Sequence, residues 1–337
     1  MINPNVITAP KSASNSDCPD ADAATTFLVL DAPAAKTGEP TPSASGLPKN
    51  FRSMTDNWHK PGTGNPPSRV GLDTLNASGS AQFCKGQLQA IQALLAKLDP
   101  VPPLTIVDLR QESHGFFDIS QPLQGESTIA VGWFVERDWI NIGRDLVGIV
   151  SDENWRLYSS LSQPNFDVNE IKTENKEGGV CTVQKYPVQM TNWAAEDQLV
   201  TAPTLGCGYQ RFPTTDHVRP RDSEVDQFVA FETTLPKGTW LHFHCRGGDG
   251  RTTTFLAMHD IFHNYPAVPL DDILIRQQWL GGIDLDNYPD PTSTSWKYPF
   301  AAERAAFIRN FATYVQTAAP GGFQMTWSAW VAHETVG

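Results

Sequence analysis

The feature that constrains this chain most is a short segment around residue 245, where a β-like run meets a glycine-rich turn. Residues 240–245 are dense in apolar and aromatic side chains, as in a buried strand, and residues 252–258 have the apolar density of a buried helix. Between a strand and a helix, the N–H groups of the turn and of the first helical turn lack internal partners and converge on an anion. The segment therefore predicts an anion-binding loop.

The loop also carries the side chains that thiol-based phosphoryl transfer needs. Cys245 supplies a thiol, and the surrounding N–H dipoles would favour its thiolate form, which is the nucleophile. Arg251 offers a planar guanidinium that can bind two phosphate oxygens at once, and Thr252 can hydrogen-bond the sulfur. A merely structural turn is the alternative, but such a turn would not require an arginine at this position. The glycines that allow a close approach to the anion are Gly247, Gly248 and Gly250.

A proton donor is the second requirement for cleaving a phosphate ester, because the leaving oxygen must be protonated. Asp216 lies in the segment 214–221, which has the character of a loop and precedes a helical pattern with a Ser223 cap. The alternative is that Asp216 only caps a turn, as aspartate often does beside proline. With the Cys245 loop downstream, we expect Asp216 to be the acid, and we expect activity to peak on the acid side of neutral.

The run His244-Cys245-x-x-Gly248-x-x-Arg251-Thr252 resembles the signature loop of the cysteine-dependent protein tyrosine phosphatase superfamily. Three further segments narrow this resemblance to one branch of the superfamily. They are Phe-Arg-Ser-Met at 51–54, Asp-Leu-Arg-Gln-Glu-Ser-His-Gly at 108–115 and Thr-Asp-His-Val-Arg-Pro at 215–220. In this order they look like the bacterial tyrosine phosphatase-like inositol phosphatases, or cysteine phytases, over most of residues 46–318. Asp249 departs from the pattern, since many members have an apolar or basic residue there.

The resemblance implies a set of roles. Cys245 would be the nucleophile, Arg251 the phosphate clamp, and Asp216 the acid that later serves as base. Arg52 would bind a phosphate that is not being cleaved, and no metal or other cofactor would take part. The remaining residues implied in substrate binding are His217, His244, Arg246, Gly247, Gly248, Asp249, Gly250, Lys297, Arg304, Lys185 and Asp138.

The predicted fold is α/β, with a mostly parallel central sheet flanked by helices and a small β-rich insert that the resemblance likens to a partial barrel. The run 104–110 reads as a buried strand, and residues 79–98 as an amphipathic helix with Ser78 or Ser80 as its cap. We expect an extended arm over 1–45, the first part of the core over 46–115, the insert over 116–187 and the rest of the core over 188–337.

Charge and hydropathy limit the partners. The net charge of −12 argues against a general nucleic-acid or membrane-surface binder, and no apolar run approaches a membrane span. No signal peptide is visible, yet we favour an exported protein, whether periplasmic, secreted or translocated, over a cytoplasmic one. The sequence leaves the oligomeric state open. Bases that could surround a polyanion in spite of the acidic body are Lys49, Arg52, Arg110, Arg211, Arg219, Arg221, Lys237, Arg246, Lys297 and Arg304.

The predicted function is hydrolysis of phosphate monoesters of inositol hexakisphosphate and lower inositol phosphates through a cysteinyl-phosphate. Two alternatives stay open at this point. One is a protein tyrosine or dual-specificity phosphatase, which shares the chemistry but not the extra bases. The other is an inactive inositol-phosphate-binding effector, which Asp249 favours.

Overall fold

The computed structural model describes residues 26–31, 46–287 and 295–334, and the strands of this part form two separate sheets. In chain order the strands are β1 (Phe27–Leu30), β2 (Arg52–Ser53), β3 (Ala77–Ala81), β4 (Leu104–Arg110), β5 (His114–Leu123), β6 (Glu126–Phe134), β7 (Asn165–Glu174), β8 (Val180–Ala194), β9 (Gly208–Thr214) and β10 (Trp240–Cys245). The α-helices are α1 (Lys85–Leu95), α2 (Leu146–Ser159), α3 (Glu196–Thr201), α4 (Asp222–Thr234), α5 (Gly250–Asn264), α6 (Leu270–Trp279), α7 (Tyr298–Ala318) and α8 (Trp327–Glu334).

The central sheet has the strand order β2-β3-β10-β4-β9, and only β2 runs antiparallel to its neighbour. The middle strand, β10, is buried along its whole length and ends at Cys245. The carboxyl ends of parallel strands meet at one edge of a sheet, which is where open α/β folds bind ligands. That edge therefore brings together the residues that follow β10, β4 and β9.

Helix α5 leaves this edge directly after β10 and runs through the interior. Its residues 251–261 are all buried, so it has no solvated face. Phe255 and Leu256 of α5 belong to the same apolar cluster as Phe243 of the sheet and Phe311 of α7. This packing fixes the start of α5, and with it the loop that joins α5 to β10.

The second sheet is a small barrel of the strands β1-β6-β5-β8-β7. A short parallel pairing of Val29 with Asn169 closes it, and its interior is apolar, with Phe117, Val131 and Val168 buried. The predicted mixed α/β class with a β-rich unit is confirmed, and the strands close where a partial barrel was expected. The first strand of this barrel comes from residues 27–30, inside the predicted arm, and its last strand in the chain extends to Ala194.

The predicted helix over residues 79–98 is wrong in its first part, because residues 77–81 form strand β3 and α1 begins at Lys85. Gly79 shows the physical reason. A Cβ added there would lie 2.6 Å from Cγ2 of Thr252, so this segment lies flat against α5, where only small residues fit. None of the helices in the described part has the length and hydropathy that crossing a bilayer requires.

Candidate active site

Cys245 lies at the carboxyl end of β10 with two donors directed at its sulfur. The backbone N–H of Gly248 and the hydroxyl of Thr252 both lie 3.2 Å from Sγ. The side chain is only 2% exposed, but it lines a cavity of about 380 Å³. Two hydrogen-bond donors therefore face the sulfur of Cys245 at a place that a ligand in the cavity can reach.

The loop geometry requires glycine at position 248. Gly248 has φ +75°, and a Cβ there would lie 2.3 Å from the backbone nitrogen of Ala81. The loop is thus pressed against the end of β3, and any side chain at this position would collide with backbone. This close approach is what directs the Gly248 N–H toward the sulfur.

Arg251 is fixed by a carboxylate that the sequence analysis did not single out. Its Nη1 and Nη2 lie 2.7 and 2.9 Å from the two carboxylate oxygens of Glu112, and Nη1 also donates to the carbonyl of Thr214 at 3.1 Å. Arg251 lines the cavity, and its buried Nε has no hydrogen-bond partner among the described residues. One donor of this guanidinium thus remains for a ligand oxygen.

Asp216 lies opposite, on the loop after β9. Its Oδ1 is 3.1 Å from Nη2 of Arg251, and its carbonyl accepts a hydrogen bond from Nε1 of Trp139 at 2.9 Å. Burial raises the pKa of Asp216, but the neighbouring His217 and Arg251 outweigh burial and the pKa is lowered overall. The cavity thus contains Cys245, Arg251 and Asp216 together, as the sequence predicted.

A basic group lies beside Asp216. Nε2 of His217 is 3.2 Å from Oδ2 of Asp216, and its ring packs edge-on against Trp296. Nη1 of Arg304 lies 3.5 Å from the carbonyl of His217, and Nζ of Lys297 lies 5.4 Å from the centre of the Trp296 ring. His217 lines the cavity, and Arg304 and Lys297, two more of the predicted substrate-binding residues, lie close to it.

Asp138 and Arg246, two further predicted substrate-binding residues, also line the cavity. Nε of Arg246 lies 2.9 Å from Oδ1 of Asp31, and its Nη1 lies 3.7 Å from Oδ2 of Asp138. Burial and the Glu112 carboxylate raise the pKa of Asp138 well above the usual value. The cavity therefore contains two aspartates with opposite shifts, Asp138 toward the protonated form and Asp216 toward the ionised form.

Six predicted substrate-binding residues are not among those that line the cavity, namely Gly248, Lys297 and Arg304, described above, and His244, Arg52 and Lys185. His244 lies on the face of the sheet opposite to Cys245, because side chains alternate along β10, and it is fully buried with its Nε2 2.7 Å from Oε1 of Glu196. Arg52 is also buried, and it donates to the carbonyl of Gly248 at 2.8 Å and to Oγ1 of Thr253 at 3.0 Å, so it supports the loop from behind. Lys185 is exposed on β8, 3.8 Å from Asp167.

Fewer of the predicted basic residues lie around the cavity than expected. Arg110 is buried against Asp31 and Glu112, and Arg211 against Asp108 and Glu153, because a buried guanidinium needs carboxylate partners. The lysine and arginine residues that line the cavity are Lys49, Arg246 and Arg251, and the acids that line it are Asp31, Asp138, Glu170, Asp216 and Asp249.

Glu112 and Asp31 were not predicted from the sequence as residues of the site. Glu112 follows β4 at the ligand-binding edge, so its position after a buried strand was a usable signal. Asp31 accepts from both Arg110 and Arg246, yet it follows the short strand β1 far from either residue in the chain. No local pattern distinguishes it, because its role depends on the pairing of β1 with β6.

Comparison with known proteins agrees with this geometry. Residues 152–263 match the family PTPlike_phytase, whose description reads "Inositol hexakisphosphate". The chain is 28% identical to effector protein hopD2 of Pseudomonas syringae pv. tomato over 266 residues, which are 77% of this chain and 52% of that protein. It is 40% identical over 94 residues to the uncharacterized protein AvrBs1.1 of Xanthomonas campestris pv. campestris, which is 28% of this chain and 88% of that protein.

Solved structures show the same likeness. The tandemly repeated protein tyrosine phosphatase-like phytase of Mitsuokella multacida superposes with a TM-score of 0.75 and 35% identity, over 91% of this chain and 49% of that one. A PTP-like myo-inositol phosphatase of the same organism, in complex with myo-inositol-(1,3,4,5)-tetrakisphosphate, gives the same values. The PTP-like phytase of Bdellovibrio bacteriovorus gives 0.64 and 29%, over 94% of this chain and 97% of that one.

This chain thus spans about half the length of hopD2 and of the tandem phytase. The match over 152–263 includes both the acid loop and the signature loop, and the superpositions extend over nearly the whole chain. The chain is similar to the protein tyrosine phosphatase-like phytases, both over this matched segment and in its fold.

Proposed function

We propose that this protein hydrolyses phosphate monoesters of myo-inositol polyphosphates with Cys245 as nucleophile. One observation carries the proposal: Sγ of Cys245, with donors at 3.2 Å, lines one cavity with Arg251 and Asp216, which lie 3.1 Å apart. The substrate class is supported by the family match and by the neighbour whose structure contains an inositol tetrakisphosphate. The family match also supports phosphatase chemistry.

In the first step the Cys245 thiolate attacks phosphorus, the S–P bond forms, and the ester O–P bond breaks. Asp216 gives its proton to the leaving inositol oxygen, and Arg251 and the loop N–H groups stabilise the equatorial oxygens. The unpartnered Nε of Arg251 is available for one of these oxygens. The product of this step is a cysteinyl-phosphate and a free inositol hydroxyl.

In the second step water attacks the cysteinyl-phosphate, the S–P bond breaks, and the thiolate is restored. The Asp216 carboxylate takes the proton from water, so the acid of the first step becomes the base of the second. The chemistry uses only side chains of this chain and water. Inorganic phosphate then leaves the loop.

Measuring phosphate release from inositol hexakisphosphate, with the intermediates separated by chromatography, tests the proposal. We expect turnover by wild type and none by Cys245→Ser. A phosphotyrosine peptide in parallel distinguishes an inositol phosphatase from a protein tyrosine phosphatase. Turnover that survives Cys245→Ser would contradict the nucleophile assignment.

An inactive inositol-phosphate-binding effector is the second candidate function. It is favoured by hopD2, a relative named as an effector protein, and by the five carboxylates among the residues that line the cavity. Tight binding of inositol hexakisphosphate without phosphate release by wild type would support it. Whether the chain hydrolyses inositol phosphates or only binds them, its similarity to the effector hopD2 supports the proposal that it acts outside the cell that makes it.

A further inference from the structure

A second cluster of ligand-type side chains lies away from the catalytic cavity. Glu232 of α4 faces His259 and His263 of α5, and one ligand atom from each residue lies within 4.8 Å of the other two. Oε1 of Glu232 is 2.7 Å from Nδ1 of His259, and its Oε2 is 3.2 Å from Nε2 of His263. We propose that Glu232, His259 and His263 form a site for a divalent transition metal ion, with Zn²⁺ as the best fit.

The spacing of the two histidines supports this assignment. Residues four apart on a helix lie on one face, so His259 and His263 present their rings to the same point. Two histidines and one glutamate are a ligand set that zinc proteins use, with the fourth position left to water. His263 has 41% of its side chain exposed, so the site is accessible from solvent.

The orientation of His259 also suits a metal ligand. Nε2 of His259 lies 3.0 Å from the carbonyl of Leu75, which can only accept, so Nε2 carries a hydrogen. Nδ1 faces Glu232 at 2.7 Å, and a metal ion bound there would displace the proton that Nδ1 donates to the carboxylate. An orienting carbonyl behind a ligating imidazole is a common feature of metal sites.

The charge at this place favours a cation. The buried carboxylate of Glu232 is the acidic member of the cluster, and both histidines face it. Glu232 and His263 lie in the last turns of α4 and α5, where the helix dipoles place partial negative charge.

The site has a structural consequence for the catalytic loops. Helix α5 begins in the signature loop at Gly250, and α4 begins just after the loop that carries Asp216. A metal ion held between their far ends would join the two helices that support the nucleophile and the acid. We therefore expect metal binding to raise stability, without the ion touching substrate.

Titration of the full chain with Co²⁺ and Zn²⁺ tests the proposal. All variants carry Cys245→Ser, so that the catalytic thiol does not compete for metal. We expect one equivalent of Co²⁺ to give the visible absorption of a four-coordinate site, and Zn²⁺ to displace it and raise Tm. His263→Ala, at a half-exposed position that should not disturb folding, should weaken binding at least tenfold and remove the Tm increase.

His59→Ala is the matched control, because His59 is equally exposed and also paired with a carboxylate, Asp56, at 3.4 Å. It should bind metal as the Cys245→Ser parent does. No saturable binding by that parent, or equal affinity in His263→Ala, would overturn the proposal. Phosphate release by the chain with an intact Cys245 is measured separately, so that failure of the metal site and failure of the proposed function are distinguishable.

Discussion

Glu112 and Arg251 form a buried, bidentate ion pair, with N–O distances of 2.7 and 2.9 Å. Burial alone would lower the pKa of Arg251, but Glu112, and Asp216 after it, raise it well above its usual value. The guanidinium is thereby fixed in place at the catalytic loop before any ligand arrives. A clamp that is already oriented requires no rearrangement as charge develops on phosphorus.

Replacing Glu112 with glutamine should lower kcat by roughly 100-fold, because a displaced Arg251 no longer fits the equatorial oxygens. It should also lower the free energy of unfolding by about 3–5 kcal/mol, as expected when one partner of a buried ion pair is lost. Glu153→Gln is the control, since Glu153 holds the buried Arg211 at 3.0 Å outside the cavity. We expect a similar loss of stability in that variant with a much smaller loss of kcat. Equal losses of kcat would argue against a specific role for Glu112.

The thiols of this chain should differ sharply in reactivity. Burial raises the pKa of Cys84 to about 12 and that of Cys207 to about 11, so both remain protonated and inert at neutral pH. Cys245, with two donors on its sulfur, should react first with iodoacetate, and inorganic phosphate should protect it. Mass spectrometry of the peptides that contain Cys84, Cys207 and Cys245 measures this. Alkylation of Cys84 or Cys207 at the same rate as Cys245 in the folded protein would refute it.

The pH dependence should show a proton on Asp216. The protonated fraction of Asp216 falls as pH rises, and kcat/KM should fall with it. Because the pKa of Asp216 is lowered in the free protein, this fall should begin at low pH. A bound phosphate offsets the charge of Arg251 that stabilises the carboxylate, so the pKa of Asp216 should rise in the complex. The falling limb of kcat should therefore lie at higher pH than that of kcat/KM.

Asp216→Asn should remove this limb and lower kcat by roughly 10²–10⁴-fold, the usual contribution of a general acid. Asp138→Asn is the control, because Asp138 lines the same cavity but has a raised pKa and should leave the limb in place. The substrate's own ionisations are common to all variants, so they cancel in the comparison. A limb that persists in Asp216→Asn would assign the proton to another group.

Asp249 should weaken substrate binding, because it places a carboxylate at the cavity beside the loop. Nδ2 of Asn50 holds it there, 3.2 Å from Oδ1 of Asp249 and 2.8 Å from the carbonyl of Gly247. Asp249→Asn should lower KM for inositol hexakisphosphate by roughly 5-fold at low salt, with a smaller effect at high salt as the charges are screened. Asp271→Asn, which removes a charge on α6 outside the cavity, should leave KM unchanged. A KM for Asp249→Asn that is equal to that of wild type at low salt would exclude this repulsion.

How far the site could be predicted depends on how far apart its residues lie in the chain. Cys245, Gly248, Arg251 and Thr252 could be assigned because strand, turn and helix start follow one another within a few residues. Asp216 required the Cys245 loop as a second signal, since an aspartate beside proline is common in turns. Lys185, His244 and Arg52 carried roles implied by resemblance, and the cavity is not lined by them.

The sequence by itself determined the proposed chemistry, because the proposed nucleophile, its proposed clamp and the backbone that surrounds the sulfur belong to one continuous segment, in which a strand, a glycine-rich turn and a helix follow one another. Only the tertiary structure decided what holds that segment in place. Glu112 reaches Arg251 across the sheet edge, and Asp31 reaches Arg246 because β1 pairs with β6. Such contacts arise from the packing of distant strands, and hydrophobic periodicity and turn signals carry no information about them.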